Sequence, residues 1–284
     1  MASEEDLWSD ATAEAPDAEA RLAHASDESP FRSPRIPLLV AVYSVGLVLF
    51  LAVEPTLPWV LLIVTGLVAL GTDGILRTHR AAIEQEDAAW TAPLLFLPTL
   101  NALAAGLFLE DALDGYWVLP GVAIAAVLMG AILYAQYLAV EPHHPSFAGA
   151  RFVLNLGTFL TAFAFYAVVY SFDVSLVPAA LTVGLVTVLL SVEMLREAET
   201  DPIRALVFAG VIGVIVSQAR WGLYFLPLES YLAGVFLLLV FYLTSGLVQH
   251  HLNDDLRPPV VAEFSLITVL GLVIVALGRI FESS

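Results

Sequence analysis

Residues 115–140 read GYWVLPGVAIAAVLMGAILYAQYLAV and carry no charged side chain. The hydrocarbon core of a bilayer is about 30 Å thick and an α-helix rises about 1.5 Å per residue, so roughly 20 apolar residues cross it once. A stretch of this length and composition predicts a transmembrane helix.

Six further neutral stretches are long enough to cross the bilayer. They are residues 36–53, 56–72, 88–109, 152–172, 174–192 and 230–253. Two shorter stretches, 205–219 and 264–278, reach the required length only if they extend past Arg220 and past Glu263 or Arg279. The sequence therefore predicts an all-α, polytopic membrane helix bundle of about nine transmembrane helices, with the limits of the seventh and ninth left open.

The overall composition also requires a lipid bilayer around the chain. Hydrophobic residues make up 59% of the 284 residues, charged residues make up 14%, and the mean hydropathy is +0.85. Because a soluble domain of this size needs far more polar surface, lipid has to surround most of the chain. There is no cysteine, and all 11 basic residues are arginine. Disulfides, thiol catalysis and Schiff-base chemistry are therefore excluded.

The first 33 residues differ from the rest of the chain. Residues 1–30 contain nine acidic side chains and a single arginine, Arg21. Few large apolar side chains are present there to offset the entropy lost on ordering. We therefore expect residues 1–33 to form a disordered acidic tail in the cytoplasm and residues 34–284 to form one multi-pass transmembrane domain. The acidity also disfavours a nucleic-acid partner, which leaves the lipid bilayer and other membrane subunits as partners.

The arginines predict the orientation. Arginine favours loops on the cytoplasmic side of a membrane, whereas acidic residues have little topological weight. A cytoplasmic N-terminus places most arginines on the inner side, namely Arg21, Arg32, Arg35, Arg77, Arg80, Arg151, Arg196, Arg204 and Arg257. Only Arg220 and Arg279 then fall on the outer side. We therefore predict a protein of the cell membrane with its N-terminus inside and its C-terminus outside.

The fifth predicted helix carries a polar stripe. Arg151, Asn155 and Thr158, continued by Thr161, follow the i, i+4, i+7 spacing of a single helical face. Polar groups in hydrocarbon need partners, so we expect this face to point into the bundle. It indicates either a cavity open to the cytoplasm or hydrogen bonds between packed helices.

The third predicted helix contains LFLPTLNALAAG at residues 95–106. Pro98 removes a backbone donor and predicts a kink, and Asn101 lies near the middle of the span. A proline-interrupted helix with an amide near the midplane is typical of the segments that line transporter sites. Neighbouring helices can also satisfy the freed carbonyl without any substrate.

Three charged residues complete the set of polar candidates. Glu193 and Glu263 lie near the inner ends of their helices, where each can extend to the boundary and pair with an arginine of an inner segment. Arg220 lies near the outer interface. There we expect it to pair with an acidic residue or a lipid phosphate.

Two histidine pairs raise the question of a metal site. His143 and His144, like His250 and His251, fall in predicted inner segments beside carboxylates. Imidazole and carboxylate suit divalent ions. Adjacent residues on a helix point in different directions, however, and the spacing matches no metal-binding signature. We therefore predict no metal and no other cofactor. The alternative is a metal site whose ligands are these four histidines.

Two functional classes remain. The first is a non-enzymatic membrane protein, either a carrier of a small solute or an accessory or scaffold subunit of a membrane complex. It is favoured because no dense group of ionisable residues lies within the predicted spans. The second is a membrane-embedded enzyme that acts on a lipid at the cytoplasmic face through histidines and carboxylates. A solvated cavity at Asn101 favours transport, whereas a solidly packed bundle favours the accessory role.

Overall fold

The computed structural model describes residues 34–53, 57–77, 92–140, 146–172, 174–195, 201–226, 228–254 and 257–282. In chain order its long elements are α1 (Arg35–Ala52), α2 (Pro58–Leu76), α3 (Ala92–Ala112), α4 (Val118–Ala139), α5 (Phe147–Ser171), α6 (Leu176–Leu195), α7 (Pro202–Leu223), α8 (Ser230–Leu252) and α9 (Pro258–Glu282). A short 3-10 turn, Gly115–Trp117, precedes α4. Each of these nine helices is long and apolar enough to cross a membrane. For the described ranges, the predicted all-α polytopic bundle is confirmed.

The two helices that the sequence left open both include charged residues. α7 contains Arg204 and Arg220, and α9 contains Glu263 and Arg279. All four lie near a helix end, so an apolar middle remains between them. The predicted tail, residues 1–33, lies outside the described residues.

Local sequence explains where several helices begin. Pro58, Pro202 and Pro258 occupy the first positions of α2, α7 and α9. The fixed φ of proline suits this position, and its missing N–H would have had no partner within the helix. Asp201 precedes α7, and its carboxylate accepts a hydrogen bond from the Ile203 N–H at 2.9 Å. This bond satisfies one of the free donors at the start of the helix.

Two apolar cores share α3 and α4. The first lies among α1 to α4 and surrounds the fully buried side chains of Tyr43, Phe50 and Met129. The second lies among α3 to α8 and surrounds those of Leu97, Ile132, Tyr166, Leu190 and Phe241. Because α3 and α4 contribute to both cores, polar groups on their inner faces are shielded from lipid.

Small residues bring α6 and α7 close together. A Cβ atom built on Gly213 would lie 2.8 Å from the carbonyl oxygen of Gly184. One built on Gly184 would lie 3.1 Å from the Cβ of Ser217. Ser217 also donates from Oγ to the carbonyl oxygen of Ala180 at 2.9 Å. Small residues that allow such close backbone approach are typical of contacts between transmembrane helices.

The last helix, α9, lies at the edge of the bundle and packs mainly against α8. The rings of Tyr242 on α8 and Phe264 on α9 are 5.1 Å apart. Most of the other described side chains of α9 are exposed and apolar. Such a surface is compatible with lipid and not with water.

Contacts between helices define the two ends of the bundle. At one end, Leu94 near the start of α3 lies beside Gln136 and Glu193 near the ends of α4 and α6. At the other, Ser171 at the end of α5 donates a hydrogen bond to Asp111 at the end of α3 at 2.5 Å. The first is called the arginine-rich end, and its described arginines are Arg35, Arg77, Arg151, Arg204 and Arg257. The second is called the acidic end, and its described charged residues include Glu110, Asp111, Asp114, Glu229, Arg220 and Arg279.

Candidate functional site

Pro98 leaves a carbonyl group without its helical donor inside α3. Proline has no N–H, so the carbonyl oxygen of Leu94, four residues earlier, loses its regular hydrogen bond. Gln136 on α4 replaces that donor, since its Nε2 donates to the Leu94 oxygen at 2.6 Å. A carbonyl in the membrane interior must find its partner within the protein. This bond therefore satisfies the carbonyl that Pro98 leaves free and ties α4 to α3.

The same amide nitrogen also reaches α6. Nε2 of Gln136 lies 3.0 Å from Oε1 of Glu193, so both of its hydrogens have acceptors. Oε2 of Glu193 accepts a hydrogen bond from the Leu97 N–H at 3.2 Å. Leu94, Leu97, Pro98, Gln136 and Glu193 are together called the Glu193 cluster. It joins three helices at the arginine-rich end.

Glu193 is enclosed by the bundle. Its side chain is only 5% exposed, and beyond these two bonds it takes part in a further interaction. The structure directs both carboxylate oxygens toward α3 and α4, and the arginine partner expected from the sequence stays a prediction. Hydrogen bonds to the carboxylate help offset the cost of removing it from water.

Three more polar atoms from this region are buried without a hydrogen-bond partner among the described residues. They are Nδ2 of Asn101, Oε1 of Gln136 and Oγ1 of Thr161. Thr99, which follows Pro98, and Ser191, two residues before Glu193, hold similar atoms, as do Tyr43 and Thr65. Because buried polar groups in proteins are nearly always hydrogen-bonded, such atoms indicate a place for water or a ligand.

Asn101 and Thr161 lie at the same depth. α3 and α5 run in the same direction and meet where a Cβ atom built on Gly157 would lie 3.9 Å from the side chain of Leu97. Asn101 and Thr161 are each four residues beyond that contact, which is about 6 Å farther toward the acidic end. Asn101 also shares its helical face with Leu97. We infer that the two residues extend the Glu193 cluster toward the middle of the bundle.

The rest of the α5 stripe leads back to the arginine-rich end. Thr158 is buried, and Asn155 and Arg151 are partly buried. Arg151 takes part in an interaction of its own. The stripe therefore runs along the inside of α5 from the arginine-rich end to the depth of Asn101.

Tyr166 separates this polar region from the acidic end. Oγ1 of Thr187 donates to the Val183 carbonyl oxygen at 2.7 Å and lies 2.7 Å from the Tyr166 hydroxyl. Since a hydroxyl carries one hydrogen, Tyr166 donates to Thr187. The fully buried Tyr166 ring also packs edge-on against Phe241, with centroids 6.5 Å apart. Tyr166, Thr187 and Phe241 are together called the Tyr166 layer. Its two hydroxyl groups have hydrogen-bond partners, and its other contacts are apolar.

Arg220 and Glu263 lie away from the Glu193 cluster. Arg220 is at the acidic end and is 6% exposed, with its Cζ 4.8 Å from the ring centroid of Tyr170 on α5. This distance is that of a cation–π contact, and Arg220 takes part in a further interaction as well. Glu263 is exposed on α9. Neither residue is brought together with Asn101.

The described histidines point apart. His251 packs against Phe208 of α7 with ring centroids 6.0 Å apart, whereas His250 packs against Phe264 of α9 at 5.5 Å. Adjacent residues on a helix face different neighbours for geometric reasons. Within the described ranges, no three histidine, aspartate or glutamate side chains are grouped as metal ligands. His143 and His144 lie outside those ranges.

Gln136 is the member of the cluster that sequence reasoning missed. It is the one amide side chain in the quoted stretch 115–140. A carbonyl freed by Pro98 needs a donor from another helix, so an amide within an otherwise apolar span was an available signal. Periodicity alone does not show that α4 places this amide beside Leu94.

The bundle that holds this cluster identifies the family of the chain. A family described as "Protein of unknown function (DUF5656)" matches residues 37–278. The chain belongs to the DUF5656 family. The match runs from α1 to α9, so it includes the whole Glu193 cluster. No curated protein and no solved structure matches this DUF5656 chain.

The nine apolar helices found among the described residues make this DUF5656 chain a multi-pass membrane protein. The description of the family states no activity.

Proposed function

We propose that this DUF5656 protein carries a small polar solute across the cell membrane and binds it at the Glu193 cluster, Asn101 and Thr161. The supporting observation is the set of unpartnered polar atoms that α3, α4 and α5 hold beside an enclosed carboxylate. Polar and ionisable groups inside a membrane domain are costly, and they commonly mark the path of a substrate or ion. A solute that hydrogen-bonds to these atoms offsets that cost.

The chemistry of the free atoms limits the solute. Nδ2 of Asn101 is a donor, Oε1 of Gln136 is an acceptor, and the hydroxyl of Thr161 is both. A neutral solute with hydroxyl or amide groups satisfies all three. The carboxylate of Glu193 also attracts an amine cation and repels an anion. The solute class is therefore small, hydrogen-bonding, and neutral or cationic.

The backbone hydrogen bond missing at Pro98 provides a means of movement. The bond that replaces it comes from the Gln136 side chain and not from the backbone of α3. A rotamer change of Gln136 therefore frees α3 to bend at Pro98 without breaking a hydrogen bond between two backbone groups. α3 is continuous from Ala92 to Ala112, and a proline inside such a helix marks a point at which it can bend when a transporter alternates between two open states.

We propose the same orientation that the arginines predict from sequence. The arginine-rich end faces the cytoplasm, with the N-terminal tail on that side, and the acidic end faces outward. The Glu193 cluster then lies in the cytoplasmic half of the membrane. The layer formed by Tyr166 and Phe241 lies between the cluster and the outside.

The two other candidates have less support. The apolar packing around Asn101 is what an accessory or scaffold role predicts. That role does not require the unpartnered polar atoms there. A lipid enzyme requires histidines that converge on one site, whereas His250 and His251 face different helices.

Solute flux into vesicles tests the proposal. Vesicles that contain the purified protein are exposed to gradients of urea, glycerol and methylammonium chloride, and their volume is followed by light scattering. We expect at least one solute to enter faster than it enters protein-free vesicles. Asn101→Leu removes a donor from the site, so we expect it to lower the protein-dependent rate about tenfold, the value of one hydrogen bond.

A matched variant controls for the replacement itself. Asn253→Leu makes the same change at an exposed position just after α8 and should leave the rate unchanged. Both variants are first compared with the wild type by size-exclusion chromatography. Entry no faster than into empty vesicles for all three solutes contradicts transport and favours the accessory role. An equal fall in the rate of solute entry in Asn101→Leu and Asn253→Leu contradicts the assignment of the binding site to Asn101.

A further inference from the structure

A long apolar groove runs between α1 and α2 on the outside of the bundle. It consists of two hollows of about 510 and 450 Å³ that share Val42 and Leu67 in their linings. From Arg35 at one end to Leu49 near the other, it follows α1 for about 21 Å, at 1.5 Å per residue. One leaflet of the hydrocarbon core is only about 15 Å thick. The groove is therefore long enough to hold an acyl chain over the full depth of a leaflet.

Glycines shape this groove. Leu39 of α1 packs directly over Gly71, where a Cβ atom would collide with it, so the two helices are close at that level. Gly74, one turn nearer the arginine-rich end, lines the groove and has nothing within 4 Å of its Cβ position. The helices therefore touch at one glycine and leave open space beside the next.

The groove has one charged residue among those that line it. Arg35 is exposed and stands at the arginine-rich end, the level of the lipid headgroups. Among the described residues it has no ion-pair partner, whereas the neighbouring Arg77 is held by Asp73 at 2.6 Å. Guanidinium groups bind phosphate well because their donors match its oxygen atoms. Basic pockets between transmembrane helices commonly bind anionic headgroups.

We propose that this groove is a binding site for an anionic phospholipid of the leaflet at the arginine-rich end. One acyl chain lies along the apolar floor between α1 and α2, and the guanidinium of Arg35 binds the phosphate. The groove is on the opposite side of the first core from the Glu193 cluster, so this inference is independent of the proposed transport.

Lipid retention measured by native mass spectrometry tests the site. The purified protein in detergent is mixed with equal amounts of phosphatidylglycerol and phosphatidylcholine, and bound lipids are counted. Both lipids carry a phosphate, but the choline cation of phosphatidylcholine neutralises its headgroup and opposes Arg35. We therefore expect the anionic phosphatidylglycerol to bind about tenfold more tightly, the value of one charge-assisted contact. Arg35→Gln should abolish that preference. Gly74→Phe should lower retention of both lipids about tenfold, because its ring fills the groove.

Gly66→Phe is the matched control for Gly74→Phe. Gly66 is on the same helix and also has nothing within 4 Å of its Cβ position, but it does not line either hollow. Retention in this variant should equal that of the wild type. Equal binding of the two lipids to the wild type overturns the headgroup assignment. Equal retention in Gly74→Phe and Gly66→Phe overturns the groove as the site, even if Arg35→Gln changes headgroup preference.

Discussion

Gly213→Val is expected to lower the free energy of unfolding by about 1–3 kcal/mol, or more if α6 and α7 separate. The new Cβ atom would lie 2.8 Å from the Gly184 carbonyl oxygen and would collide with the Val188 side chain. A flexible side chain can rotate away, but the backbone of a packed helix cannot. The measurement is unfolding in mixed micelles of increasing SDS content, followed by tryptophan fluorescence.

Gly210→Val provides the control on the same helix. A Cβ atom on Gly210 has nothing within 4 Å, so this variant carries the same change in helix propensity without the collision. We expect the Gly210→Val variant to unfold close to the wild type. Equal destabilisation of the two variants would show that the close approach of α6 and α7 is not what the glycine provides.

Gln136→Leu is expected to lower the free energy of unfolding by about 2–3 kcal/mol, because it leaves two buried acceptors without their donor. These acceptors are the Leu94 carbonyl oxygen and Oε1 of Glu193. Gln218→Leu makes the same replacement at an exposed position of α7 and should be nearly neutral. The same SDS unfolding experiment measures both variants.

Pro98→Ala tests why Gln136 is needed. Alanine restores an N–H that can donate to Leu94 within α3. Gln136→Leu should therefore lower the free energy of unfolding by about 1 kcal/mol less in the Pro98→Ala background than in the wild type. A double-mutant cycle measures this difference. The same cost in both backgrounds would mean that the Leu94 carbonyl does not depend on Gln136.

The helices could be predicted because their signal is local. An uninterrupted apolar stretch of membrane length has few alternatives to a spanning helix. The limits of α7 and α9 were uncertain for the same reason, since Arg220 and Glu263 interrupt their apolar stretches. The polar face of α5 was also visible, because its residues are spaced along a single helix.

The Glu193 cluster could not be predicted because its signal is not local. Glu193 meets Gln136, 57 positions away, and the Leu97 N–H, 96 positions away. Nothing in a helical period states which helices become neighbours in a bundle. The sequence therefore did not show that packing encloses Glu193 and Arg220, and the ionic partners that it suggested for them stay predictions. Asn101 was found because a proline and an amide one turn apart are visible without any knowledge of neighbours.

Thiol labelling of the two chain ends tests the nine-span topology, on which the placement of every site depends. Because the chain has no cysteine, Ser3→Cys and Ser284→Cys each introduce a single thiol. A membrane-impermeant maleimide applied to intact cells should label the Ser284→Cys variant, and label the Ser3→Cys variant only after lysis. Labelling of both variants, or of neither, in intact cells would mean an even number of crossings and would contradict the topology; labelling of Ser3→Cys alone would reverse the orientation.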